Sequence, residues 1–171
     1  MKLVMPDTNV YGWAIAKRLY NDKRKQAINS SLLIGKLVNE KGKEKPSIRA
    51  YSCEQIENEL RSEKVRKETP DIRTLHNSLI LGIVKNTRKT NLLVSEYVKE
   101  FKRKKADRVD LPDLRIYACA TRSRCDYLIT ENRKSMNRKD VVQVLSNANK
   151  RKILKVPEIV SCEKALKILF S

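Results

Sequence analysis

Three stretches of the chain place acids where several carboxylates can work together. Asp7 stands just after a short apolar run. Asp107, Asp110 and Asp113 are spaced by three ahead of a second one, and Thr130-Glu131-Asn132 closes a third. Between them lies a fourth acidic stretch with Glu54, Glu57, Glu59 and Glu63. Carboxylates gathered in one cleft repel each other unless a cation sits among them. The chain has one histidine, His76, and no Cys-x-x-Cys pair, so ligation is expected through oxygen alone. That donor chemistry favours Mg²⁺ or Mn²⁺, whose role beside a phosphodiester is to polarise the phosphate and activate water.

Each acid also has a plainer explanation. Asp7 and Thr130 are ordinary helix N-cap or turn residues, and acids in a first helical turn are favoured by the helix dipole. Asp110 and Asp113, if helical, project from one side of the segment that runs into Leu114-Arg-Ile-Tyr-Ala-Cys-Ala120. That segment is apolar enough to pack on a sheet, and an acid rooted there is held rigidly. In the stretch after Cys53, Ile56 and Leu60 define the buried stripe, with Glu57 and Glu59 flanking it on opposite sides. Periodicity leaves both open, while Glu54 faces solvent.

The elements that must position these acids follow from hydropathy. Short apolar runs predict strands at Lys2–Met5, Ile48–Tyr51, Asn91–Val94, Asp126–Thr130 and Lys152–Val156. Helical periodicity covers Val10–Leu19 and Ala27–Val38, with Asn39–Pro46 as a charged connector. It resumes at Cys53–Arg66, at Leu75–Val84 in a stretch started by Pro70, and at Ser95–Lys105. Pro112–Thr121, Asp140–Asn149 and Glu163–Leu169 complete the helices. Strands alternating with helices predict an α/β fold, a mostly parallel sheet of about five strands covered on both faces, in a single domain over 1–171. In such a sheet ligands bind beyond the carboxyl ends of the strands, where strand order reverses. Asp7 and Thr130 are expected there.

Composition narrows the classes. With 38 Lys+Arg against 20 Asp+Glu, the 171 residues carry a net charge of +18, a field that attracts polyanions. The four glycines are too scattered for a phosphate-cradling loop or a dinucleotide fingerprint. No apolar run reaches the length of a membrane span, and Met1–Met5 does not open a secretory signal, so a cytoplasmic protein with reduced cysteines and no membrane partner is expected. A second Asp two residues after Asp7 is lacking, which disfavours a phosphotransfer aspartate. Acids beside a basic surface point to nucleic acid as substrate.

These segments resemble a known family. Val4-Met-Pro-Asp-Thr-Asn-Val10 resembles the opening strand and turn of PIN-domain nucleases, and Ser52-Cys-Glu-Gln-Ile-Glu-Asn-Glu-Leu60 is similar to their second motif. Asp113–Ala120 is similar to the third, Asp126-Tyr-Leu-Ile-Thr-Glu-Asn132 to the fourth, and Val156–Leu166 to the closing strand and helix. The resemblance implies an α/β/α sandwich and metal-dependent RNA cleavage. It picks Glu59 over Glu57 and implies Asp7, Glu59 and Asp113 as catalytic metal ligands, with Thr8 and Thr130 orienting the acids and Asn9 supporting the turn. Asn132 stands where that family usually has Asp, with Glu131 beside it and Asp110 able to supply the missing charge. The resemblance further implies the toxin of a toxin–antitoxin pair, with an antitoxin protein and a homodimer, or an RNA-processing nuclease. The alternative is a nucleic-acid-binding module with a degenerate metal site.

Overall fold

The strand that carries Asp7 begins the chain. In the computed structural model, which describes residues 1–69, 71–107, 109–132 and 134–171, β1 (Lys2–Pro6) leads into α1 (Thr8–Tyr20) and α2 (Lys25–Lys41). Then come β2 (Ile48–Ala50), β3 (Ser52–Cys53), α3 (Glu54–Leu60), α4 (Glu63–Glu68), α5 (Ile72–Leu79) and β4 (Ile83–Val84). The chain continues through α6 (Arg88–Lys104), α7 (Leu111–Arg122), β5 (Tyr127–Ile129), α8 (Lys139–Arg151), β6 (Glu158–Val160) and α9 (Cys162–Phe170). Pro70, expected to start a helical stretch, lies outside the described residues.

The main sheet is parallel throughout, in the order β2-β1-β5-β6. Successive strand residues face opposite sides, and Val4, Met5, Leu128 and Ile129 are all buried, so both faces are covered. Helices α1, α2, α5 and α9 pack among themselves, as do α6, α7 and α8. The result is the expected three-layer α/β/α sandwich. Strand order runs outward from β1 to β2, then restarts on the other side of β1 with β5. At that reversal the Asp7 amide donates to the Ile129 carbonyl at 2.9 Å, setting Asp7 and Thr130 side by side.

Four expectations are corrected. Asn91–Val94 is no strand but part of α6, whose start is fixed by a reciprocal capping box between Thr87 and Thr90. Its buried Leu93, Val94, Tyr97 and Phe101 recur at helical spacing, and the short apolar run was one turn of that stripe. Lys152–Val156 is not a strand either. Helix α8 runs on to Arg151, Ile153 turns left-handed at φ 54°, and pairing begins only at Glu158. The main sheet therefore has four strands, with β3 and β4 forming a separate two-stranded parallel sheet. The helix predicted over Cys53–Arg66 breaks at Arg61–Ser62, where the Ser62 hydroxyl caps α4 by accepting from the Val65 amide. The stretch Leu75–Val84 is helical only to Leu79 and ends in β4.

Helices α6, α7 and α8 are joined by a buried polar knot. The Tyr97 hydroxyl donates to Asn149 Oδ1 at 2.6 Å, and Asn149 Nδ2 reaches Thr121 Oγ1 at 3.0 Å and the Lys155 carbonyl at 3.1 Å. The Tyr117 hydroxyl, which needs a partner once buried, lies 3.4 Å from the same amide. Trp13 is half-buried, with the Arg24 guanidinium 4.4 Å from its ring centroid. All four cysteines are free and buried. Among the described residues no helix is long and apolar enough to cross a membrane.

Two buried glutamates tie helices to their surroundings and set an acid limit on stability. Hydrogen bonds from Lys43 and Ser47 push the Glu40 carboxyl down to about 2, and those from Arg103 and Arg151 do the same for Glu100. A depressed folded pKa contributes stability above the unfolded value near 4.5 that is lost as pH falls toward 2. Each pair, discounted for solvent around the basic partners, contributes about 1 kcal/mol. Unfolding free energy should therefore fall steeply between about pH 4.5 and pH 2. In Glu100→Gln that limb is expected to flatten, as read by denaturant titration at successive pH values; an unchanged limb would show that Glu100 is not its source.

Candidate active site

Side chains from four separate segments form one hydrogen-bonded chain at the carboxyl edge of the sheet. Asp7 is buried at the end of β1 and caps α1, its Oδ1 accepting from the Thr8 amide at 2.6 Å. The plain reading of Asp7 as an N-cap thus holds, yet its other oxygen faces inward. Oδ2 accepts from Asn9 Nδ2 at 2.7 Å and from the Thr130 hydroxyl at 2.8 Å. Thr8 turns its own hydroxyl to Glu59 Oε2, and Gln55 Nε2, one helical turn before, donates to Glu59 Oε1 at 3.0 Å.

The chain continues on the other side. The Asn132 amide donates to Thr130 Oγ1 at 3.0 Å, while its side-chain Nδ2 donates to Asp113 Oδ2 at 3.2 Å. Ser135 Oγ donates to the same Asp113 oxygen at 2.8 Å. Asn9 clamps the middle by accepting from the Glu131 backbone amide at 2.8 Å. Glu59, Thr8, Asp7, Thr130, Asn132 and Asp113 are therefore linked without a break, from α3 through β1 and β5 to α7.

The acids feel one another. Burial pushes the Asp7 carboxyl up to about 7; the charges of Asp113 and Glu59 add to this, and the Thr130 hydrogen bond opposes it. Asp113 is likewise raised, first by burial and then by Glu59 and Asp110, against the hydrogen bond from Ser135. Among the described residues no lysine or arginine pairs with Asp7, Glu59 or Asp113. This all-oxygen, uncompensated donor set has the chemistry that suits Mg²⁺ or Mn²⁺. The acids do not yet enclose an ion: among the described residues no three His, Cys, Asp or Glu side chains surround one point. Each is turned instead onto neutral donors, as mutually repelling carboxylates would be.

The remaining candidates fall in different places. Glu57 points away, paired with Arg61 at 2.7 Å and 3.5 Å from the buried His76, so geometry separates it from Glu59. Glu54 accepts from the Asn86 amide. Asp110 is exposed at the N-cap of α7 and, among the described residues, acts on the site through its field on Asp113. Asp107 pairs with Arg138. Glu131 turns an oxygen to the Cys162 amide at 2.8 Å, at the start of α9. His76 is core, its Nε2 2.8 Å from Ser52 Oγ and its ring edge-on to Tyr11.

Sequence reasoning missed Gln55, Ser135 and Tyr11. Gln55 was readable as the residue four before Glu59 on one helix, but Ser135 lies in an irregular basic stretch with no periodicity to mark it. The buried Tyr11 hydroxyl has no hydrogen-bond partner among the described residues, and burial followed by the Asp7 charge holds it far above its ordinary pKa.

The sequence matches no family profile and no curated relative. Solved structures do match. A chain of VapBC2 from Rickettsia felis, bound to a DNA fragment from its promoter, is 17% identical with a TM-score of 0.56, over 93% of this chain and 98% of that one. A chain of VapBC-1 from nontypeable Haemophilus influenzae is 16% identical with a TM-score of 0.58, over 94% and 98%. The chain thus adopts the PIN-domain fold.

Proposed function

We propose that this protein is a divalent-metal-dependent endoribonuclease. The observation that supports the reading most is the unbroken chain from Glu59 through Asp7 to Asp113 at the point where strand order reverses. Asp7, Glu59 and Asp113 would hold a Mg²⁺ or Mn²⁺ ion. Bound there, the ion would supply Lewis-acid polarisation of a phosphodiester and charge neutralisation during hydrolysis. Thr8 and Thr130 hold the carboxylates in orientation through their hydroxyls, and Asn9 locks the two strand ends together. Asn132 and Ser135 donate to the same Asp113 oxygen and so hold that carboxylate in place. Asp110 adds negative field from the rim, and Glu131 supports the site from behind through α9. The +18 charge draws the RNA in.

The structures it resembles are VapBC complexes, and on that likeness we read the chain as the toxin of a toxin–antitoxin pair. Its partners are then RNA, an antitoxin protein and a second copy, all in the cytoplasm. One observation favours a second reading: Asn132 gives a neutral amide to Asp113 where the family it resembles usually has Asp. A degenerate site that binds nucleic acid without cutting follows from that.

Cleavage of a labelled single-stranded RNA separates the two. With Mg²⁺ or Mn²⁺ the protein should cut, EDTA should stop it, and Mn²⁺ should restore it. Glu59→Gln is expected to cut at least about 100-fold more slowly, while Glu57→Gln stays within about twofold of wild type. Equal cutting by wild type and Glu59→Gln would refute the site. Salt-dependent binding that persists in EDTA, with no cleavage under any metal, would establish the binding module.

A further inference from the structure

Far from the acids, at the opposite end of α7, a groove of about 440 Å³ combines apolar walls with a basic rim. Leu92 and Leu93 of α6 and Leu154 after α8 line it, with Lys89, Arg122, Lys152 and Glu96 around them. Arg122 lies nine residues beyond Asp113 on α7, about 13 Å along the axis, and none of the acid-chain residues lines the groove. Leu92 is 58% exposed, and Ile153, next to Leu154, is 94% exposed. Large apolar side chains clustered on a polar surface mark contact sites rather than chance exposure. Ile153 is also held at φ 54°, a region that a β-branched residue adopts only when its surroundings impose it. Its side chain stands in solvent, next in sequence to the groove-lining Lys152 and Leu154.

The charges around the groove choose the partner. Arg122 is fixed in place by donating to the hydroxyls of Thr87 and Thr90. Glu96 is occupied by Lys99 at 3.1 Å and Lys152 at 3.5 Å. Lys89 has no acidic partner among the described residues. A second copy placed here by two-fold symmetry would set Lys89, Arg122 and Lys152 against themselves, and the whole chain carries +18. Nucleic acid would meet the lysines but gain nothing from Leu92, Leu154 and Ile153, and no aromatic ring lines the groove for a base to stack on. We infer that this groove docks a protein segment of acidic amphipathic character, an apolar stripe seated on Leu92, Leu93 and Leu154 with flanking carboxylates paired to Lys89, Arg122 and Lys152.

The test uses the full chain and a fluorescent synthetic peptide of Leu, Glu and Ala, about 16 residues long so that it holds a helix with one leucine face. Fluorescence anisotropy at near-physiological salt should show saturable binding. Leu92→Asp and Lys152→Glu should each weaken it by at least about tenfold. Leu32→Asp, at a 54% exposed leucine on α2, carries the same charge change as Leu92→Asp and should leave binding unchanged. Thermal melting confirms that all three variants fold. No binding by the folded wild type, or equal losses in Leu92→Asp and Leu32→Asp, would overturn the proposal. So would sedimentation showing a dimer that Leu92→Asp dissolves, or RNA binding that Leu92→Asp alone abolishes.

Discussion

Replacing Asp7 with asparagine is expected to lower RNA cleavage by at least about 100-fold while leaving the protein folded. The two side chains have the same shape, so Oδ1 can go on accepting from the Thr8 amide. The Thr130 hydroxyl, which already accepts from the Asn132 amide and from Asn9 Nδ2, can turn its proton to Asn9 Oδ1 at 3.5 Å, and Asn9 Nδ2 keeps Thr130 Oγ1 at 3.1 Å, so losing the two bonds to Asp7 Oδ2 costs about 1–2 kcal/mol. Against that, a carboxylate no longer has to be buried beside Asp113 and Glu59, which returns stability. The melting midpoint should consequently stay within a few degrees of wild type while activity collapses. Single-turnover cleavage and a thermal melt on the same preparation read the two quantities separately. Cleavage at the wild-type rate would remove Asp7 from the mechanism, and a protein that unfolds would make it a structural cap instead.

The largest effect on stability is expected from Asn149→Ala. Asn149 sits between three helices and satisfies Tyr97, Thr121 and the Lys155 carbonyl with one side chain. Truncation leaves several buried polar groups unpaired and opens a cavity, together costing about 3–4 kcal/mol. For a chain of this size that corresponds to a drop of about 10 °C in the melting midpoint. Gln143→Ala, on the exposed side of the same helix, should stay within about 0.5 kcal/mol. Calorimetry of the two variants compares the knot with its helix; similar midpoints would mean that water or rearrangement replaces the amide.

How much of this was legible in the sequence depends on which physical signal marked each residue. Asp7 and Thr130 could be placed because a buried parallel strand ends in a recognisable way and the sheet edge is where ligands gather. Asp113 was legible from the apolar helix behind it. Glu59 and Glu57 were not separable by periodicity, since both flank the Ile56–Leu60 stripe; the pull of Arg61 on one and of Thr8 and Gln55 on the other decides it. The strands failed where a short apolar run has two meanings. Leu92-Leu-Val94 is one turn of a helix whose start was set by Thr87 and Thr90, a capping box without the usual acid or glutamine. Ile153-Leu154 looked like a strand because nothing local announces that Asn149 captures the Lys155 carbonyl and bends the chain there. Hydrophobicity gives the composition of a segment, whereas its geometry came from polar side chains distant in sequence.

The acid set is assembled from residues 7, 59, 113 and 130–135, so its members enter the world at very different times during synthesis. An N-terminal fragment released early would contain Asp7 and Glu59 but neither Thr130 to orient the first nor Asp113 to complete the set. Only after β5 and the turn beyond it have left the ribosome can the ensemble close. On the proposed activity, a chain that ends before β5 would lack a complete acid set and should not cut the message that encodes it.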